Sequence, residues 1–409
     1  MGVLATKLQP TYTVAEFVSA LSSGTSDGSS KIPDLMPALP NLLLLSLVTS
    51  TFGFSVGPEA PMVCAGAIIG KSISQNYWCS ESSSNKQEAL SNKKAREILT
   101  YAGSAGALTA FMKTPLAGSI FALELTRASS GMASIAQDAL VPAVVSSVVA
   151  LAGIRGVLDP QSSVGGQFSY QVVNDSLSGR AAVATSLVCG LGGALLGTIF
   201  HKLVHRLKDI LWTENKTAAE SNDKKASTRE VLVKTIVGAA VGLLSMEYPS
   251  TMFWGEGSLQ CVVDGQATPF SKTKHGAVVN PNGPFESSWA AIQVGVAKLV
   301  AISLACSGKF PGGIIFPLFF AAAPIAHGVL RWLSSYLPEA VSPVAVMALM
   351  ASTQASVTRT PLATVLMLGL SSSSNTQLSM LLPSIILSSY IGVWFSRYLS
   401  NESYFAYSE

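Results

Sequence analysis

Glu59 sits between Pro58 and the pair Ala60-Pro61, and no other ionised residue follows until Lys71. A charge in so apolar a run needs compensation, since at the bilayer centre it costs about 2.5–3.5 kcal/mol on insertion scales. Gly57-Pro58-Glu59-Ala60-Pro61 has the makings of a helix start, with glycine before the first turn and proline inside it. A helix start presents unpaired backbone N–H groups and about half a positive charge, which together suit an anion. Gly312-Gly313-Ile314-Ile315-Phe316-Pro317 opens a second helix in the same way but carries no carboxylate. One start would then hold a tethered anion, and the other would offer its N–H groups to a dissolved one. The alternative is a capping charge on an ordinary helix at the membrane surface.

The elements that must position these residues are membrane helices. Of 409 residues, 49% are hydrophobic and only 12% are charged, which departs from globular usage toward the membrane class. Asp34 to Glu59, Arg180 to Lys202, Lys309 to Arg331, Glu339 to Arg359 and Arg359 to Arg397 enclose no charge, and several of these gaps can cross a bilayer. Pro, Gly and Ser clusters interrupt many apolar stretches. Broken helices at membrane depth are tolerated only where the freed backbone is buried in protein or lines a watery cavity, which points to a transporter or channel. Periodicity and breaks predict helices near 41–56, 60–75, 94–110, 115–126, 137–153, 179–210, 228–247, 287–305, 313–334, 341–355, 361–371 and 378–399. Loops are expected at 155–178 and 248–286. The fold class is therefore all-α and multi-pass.

An internal repeat organises these helices. Lys113-Thr114-Pro115-Leu116-Ala117 returns as Arg359-Thr360-Pro361-Leu362-Ala363, and Pro61-Met62-Val63-Cys64-Ala65 faces Pro317-Leu318-Phe319-Phe320-Ala321. Duplicated halves are characteristic of secondary transporters. The first half is expected over 1–175 and the second over 176–409. By the repeat logic the first is shorter by roughly 80 residues, as though its first helices were missing.

Other signals bound the function. A net charge of +3 argues for no nucleic-acid partner, and the basic excess in 202–234 marks a cytoplasmic linker. Cys64, Cys79, Cys189, Cys261 and Cys306 lack paired spacing, and no metal or cofactor is implied. His201 and His205 share a helix face without a third ligand and read as a basic helix end. Gly66 to Gly70 and Gly193 to Gly197 read as helix-packing faces. Glu256, in Trp254-Gly255-Glu256-Gly257, reads as a solvated loop residue, and Lys113 and Arg359 as side chains reaching toward headgroups. No nucleophile with a base, HExxH or paired-Asp signature supports an enzyme. A membrane-embedded enzyme and a non-conducting scaffold remain the contrasting classes.

Taken together, these residues resemble the CLC family of chloride channels and chloride/proton exchangers. Gly57-Pro58-Glu59-Ala60-Pro61 is similar to the family's Gly-x-Glu-Gly-Pro motif, with Ala60 replacing the second glycine and Glu59 on the gating glutamate. Gly313-Ile314-Ile315-Phe316-Pro317 is similar to Gly-x-Phe-x-Pro, with Ile315 on the phenylalanine position and Phe316 one place late. The resemblance implies a duplicated, inverted-repeat helical fold and a homodimer with one pathway per subunit. It also implies chloride held by Ala60, Gly313, Ile314, Ile315, Phe316 and the hydroxyl of Tyr404, with Tyr407 as fallback, while Gly57, Pro61 and Pro317 support the motifs. The family's Gly-Ser-Gly-x-Pro motif has no convincing match, Ser22-Ser23-Gly24-Thr25 being a poor substitute. No C-terminal cytoplasmic regulatory domain is expected, and Ser55-Val56-Gly57-Pro58-Glu59 resembles plant and algal organelle members.

In exchangers of this family a second glutamate relays protons, and here its position is Leu125, which cannot titrate. That favours a chloride channel gated by protonation of Glu59; the alternative is a chloride/proton antiporter.

Overall fold

The computed structural model describes residues 35–77, 86–114, 116–127, 133–158, 177–212, 223–268, 283–371, 378–400 and 404. Ser22-Ser23-Gly24-Thr25, Cys79, Pro115 and Tyr407 lie outside the described residues. Among those described, the regular elements are helical: α1 Leu35–Thr51, α2 Glu59–Tyr77, α3 Lys86–Met112, α4 Ala117–Arg127, α5 Ala133–Gly153, α6 Gly179–Trp212 and α7 Asp223–Glu247. They continue as α8 Glu256–Val263, α9 Ser288–Ser307, α10 Ile315–Trp332, α11 Val341–Thr358, α12 Pro361–Leu370 and α13 Leu378–Leu399. A 3-10 turn, Pro249–Thr251, leads toward α8, and a π-helical turn, Ile154–Leu158, ends α5.

The apolar runs form helices as expected, with three corrections. α1 spans Leu35–Thr51 rather than 41–56: it runs through Pro40 and stops before Gly53, whose φ of 77° turns the chain out of the helix. α3 begins at Lys86 rather than near residue 94, because Lys86-Gln87-Glu88-Ala89-Leu90 consists of strong helix formers that extend the apolar helix without a break. The segment 248–286 is not wholly loop. Gly255, at φ 93°, turns the chain into α8, whose buried residues are only Leu259, Val262 and Val263. Eight residues with three apolar anchors give too little periodicity to recognise.

Among the described residues, five helical stretches are long and apolar enough to cross a membrane: Asp138–Val157, Gly179–Trp212, Ser288–Ser307, Ile315–Trp332 and Val341–Thr358. The chain is an integral, multi-pass membrane protein. α11 lies at the centre, with every residue from Val344 to Thr358 buried and with α6, α10 and α13 packed around it. α5 lies at the periphery and turns Val141, Val145, Val148 and Val149 outward, a face that suits lipid.

Lipid supplies no hydrophobic drive for helix pairing, so close packing and polar contacts hold the helices together. Gly66 and Gly70 of α2 abut the α3 backbone; a Cβ on either would collide with the carbonyl oxygen of Gly103 or Leu99. Gly193 and Gly197 of α6 admit Ser352 and Ser356 of α11. Those hydroxyls donate to the carbonyls of Cys189 at 2.8 Å and Gly193 at 3.1 Å.

The two repeated segments share a backbone device. Lys113 and Arg359, which follow α3 and α11, are both left-handed, with φ of 54° and 60°, and each turns the chain toward the next helix, α4 or α12. α4 then packs against α12. Replacing Gly66 with Leu should force α2 and α3 apart and destabilise the protein by about 2 kcal/mol or more, read as a lowered unfolding temperature in detergent.

Candidate functional site

The lead-ins to α2 and α10 meet back to back. Gly57 N–H donates to the Gly313 carbonyl at 2.8 Å, and Gly313 N–H to the Gly57 carbonyl at 2.5 Å, an isolated antiparallel bridge across distant parts of the chain. Both positions need glycine for space, since a Cβ on either would collide with Oε2 of Glu59.

Glu59 is the first residue of α2 and only 1% exposed. Its Oε1 accepts the backbone N–H of Phe316 at 3.3 Å, while Oε2 is buried without a hydrogen-bond partner. Phe316 is the second residue of α10, where no preceding helical turn supplies an acceptor. Pro317, the third, has no N–H, and the helical ladder resumes with Leu318 N–H donating to the Ile314 carbonyl at 3.0 Å. The carboxylate that heads one helix thus occupies the open N-terminus of another. The Phe316 ring meets Phe111 and Phe319 edge-on, with centroids at 6.0 and 6.3 Å. These apolar walls keep the local dielectric low and make a charge's fixed partners count for more.

Gly57, Glu59, Ala60, Pro61, Gly313, Ile314, Ile315, Phe316 and Pro317 therefore gather at this one contact. Gly313 contributes space and a bridge, its N–H being committed to Gly57. The Tyr404 ring lies 5.8 Å from that of Phe200, with Lys208 Nζ 6.0 Å from its centroid. Leu125 is buried in α4.

Its neighbour Glu124 plays a part that sequence reasoning missed. Its two carboxylate oxygens accept the N–H groups of Leu362 at 3.1 Å and Ala363 at 2.8 Å, at the start of α12. A carboxylate from a distant part of the chain again caps a helix start. Lys298 was missed too. It is fully buried in α9, donates to the carbonyls of Thr251 at 3.0 Å and Phe253 at 2.6 Å, and lies 4.8 Å from the Phe320 ring centroid. The available signal was a lone cation in an apolar helix.

Two expectations are corrected. Glu256 is not a solvated loop residue; it heads α8, is half-buried, and its Oε2 accepts the indole N–H of Trp254 at 3.0 Å. Burial pushes its carboxyl up, opposed by that indole and by the Lys113 charge. Arg359 does not reach for headgroups, since its Nη2 donates to the Ser400 carbonyl at 2.7 Å, beyond the end of α13. His205 pairs with Asp209 at 3.6 Å, and among the described residues no group of three or more His, Cys, Asp or Glu is placed to hold a metal.

Fold and site define a class: a multi-pass helical membrane protein whose broken helices meet, start to start, around a buried carboxylate. The chain belongs to the family described as voltage gated chloride channel, whose sequence profile matches residues 14–397. It is 22% identical over 329 residues to chloride channel protein CLC-f of Arabidopsis thaliana, covering 79% of this chain and 36% of that one. It is 26% identical over 213 residues to the H+/Cl− exchange transporter ClcA of Vibrio cholerae, covering 52% of this chain and 40% of the relative. A solved slow cyanobacterial Cl−/H+ antiporter superposes with TM-score 0.65 at 16% identity, over 99% of this chain and 84% of that one. The shared fold is thus the duplicated, inverted-repeat CLC arrangement. The chain spans about a third to a half of the length of the curated relatives it first matches.

The Glu124 cap carries its own prediction. Glu124→Ala leaves the first N–H groups of α12 without their carboxylate and should destabilise the protein by about 1–2 kcal/mol, measured by thermal unfolding in detergent.

Proposed function

We propose that this protein carries chloride or a related anion across its membrane past the joined starts of α2 and α10, with Glu59 as the gate, and that it exchanges the anion for protons. The observation that carries the reading is the Glu59 carboxylate seated on the Phe316 N–H, an anion already bound where a free one would bind. As a carboxylate Glu59 competes with chloride for that helix start and closes the path. Protonated, it loses its attraction to the N–H groups, leaves, and admits the ion. The side chain that yields to chloride thus carries a proton, and this couples the two movements.

The names of relatives divide between channels and exchangers. Proton exchange is favoured because the gate is itself the proton carrier and because relatives named as H+/Cl− exchangers match in both sequence and fold. Passive conduction is the second reading, and Leu125 in place of a second titratable residue supports it. The family resemblance adds a homodimer with one pathway per subunit.

Purified protein in vesicles, followed simultaneously for chloride and proton flux, tests this. A chloride gradient should drive protons uphill, and chloride flux should rise as pH falls. Glu59→Gln should abolish proton movement and leave chloride flux nearly independent of pH. Acid-activated chloride flux without proton movement would establish the channel instead, and an unaltered pH profile in Glu59→Gln would remove the gate. Chloride should also raise thermal stability, by about 2.7 kcal/mol at a hundredfold excess over Kd, and should do so at lower concentration in Glu59→Gln, where no tethered competitor remains.

A further inference from the structure

The stretch from Thr251 to Glu256 is clamped to both sides of the gate. On the α2 side, Ser55 Oγ donates to the Thr251 carbonyl and Phe253 N–H donates to the Gly53 carbonyl at 3.1 Å. From α9, Lys298 holds the carbonyls of Thr251 and Phe253. On the α10 side, Gly255 lies flat against Phe320, where a Cβ would come within 2.7 Å of the ring. Phe320 stands four residues beyond Phe316, one helical turn along the same face, and Phe316 supplies the N–H that holds Glu59. The chain therefore delivers the next residue, Glu256, to the turn of α10 that follows Phe316.

We propose that Glu256 is a positioning residue for the gate, a second carboxylate whose negative charge disfavours ionised Glu59 and so sets the pH at which the path opens. This rests on the reading of Glu59 as the gate. Two like charges in a low-dielectric site repel, and a proton on one of them relieves the repulsion. Trp254 is the fixed partner that keeps Glu256 in place, its indole N–H on Oε2.

Among the described residues, other charged groups around α8 have partners of their own. Lys113, just past the end of α3, opposes the upward push of burial on the Glu256 carboxyl. Lys298, from α9, is bound to the two loop carbonyls. At the far end of α8, Asp264 accepts from Gln260 at 2.9 Å, the His327 ring meets the Val263 carbonyl at 2.8 Å, and Arg331 donates to the Phe285 carbonyl at 2.5 Å.

The test measures the pH midpoint of chloride flux in vesicles for the full chain, alongside Glu59→Gln. Removing the negative neighbour lets Glu59 ionise more readily, so acid must go further to open the gate. Glu256→Gln should move the midpoint to lower pH by about one unit, whereas Glu256→Asp, which keeps the charge, should restore it toward that of the wild type. Trp254→Phe keeps the carboxylate but removes its donor; Glu256 then holds its proton more often, and the midpoint should shift the same way by less. A midpoint unmoved in both Glu256→Gln and Trp254→Phe, with Glu59→Gln still abolishing the pH dependence, overturns this inference and leaves the gate standing. A Glu59→Gln protein with an intact pH profile overturns the gate itself. If Glu256→Gln fails to fold, Trp254→Phe decides the matter alone.

Discussion

A helix that starts inside a bilayer has N–H groups that no water reaches, and something negative must meet them. In this chain the α10 start meets the carboxylate of Glu59. The rest of the architecture serves that contact. The Gly57–Gly313 bridge brings two helix starts together, the absent side chains at both glycines leave room for Oε2, and the Phe111–Phe316–Phe319 wall keeps the surroundings apolar. One carboxylate oxygen is bonded and the other is not, so the group is held in place but not locked.

The same constraint recurs wherever the helices break. Glu124 meets the α12 start, and Arg359 meets a carbonyl just past the end of α13. Lys298 gathers two carbonyls freed by the turn before α8 and lies over the Phe320 ring, which compensates a charge otherwise too costly to bury. The Thr364 hydroxyl, with one proton to donate, lies within reach of both the Thr360 carbonyl and the Gln354 amide oxygen around the α11–α12 break. Broken helices leave backbone groups unpaired, and side chains drawn from other helices pair them. Much of the buried polarity of this membrane protein follows from that one requirement.

These contacts also join the two parts of the chain. Glu59 and Glu124 come from the first repeated segment and cap helices of the second. The site is therefore not contained in either segment, and the packing of α2 on α3 helps to aim the Glu59 carboxylate.

Much of this was legible in the sequence because it depends on local chemistry. Apolar runs without charge must be membrane helices, since their backbone can satisfy itself only in that form. Pro and Gly mark the breaks because proline lacks the donor and glycine tolerates the turn. Gly57-Pro58-Glu59 and Gly312-Gly313 declared themselves as helix starts for the same reason, and Lys113 and Arg359 marked the repeat. What the sequence could not decide was which start each carboxylate meets. Glu59 binds Phe316, Glu124 binds Leu362 and Ala363, and Glu256 turns from an apparently solvated residue into the half-buried head of α8, bonded to Trp254. Each of these depends on distances between residues far apart along the chain, and helix packing alone sets those distances.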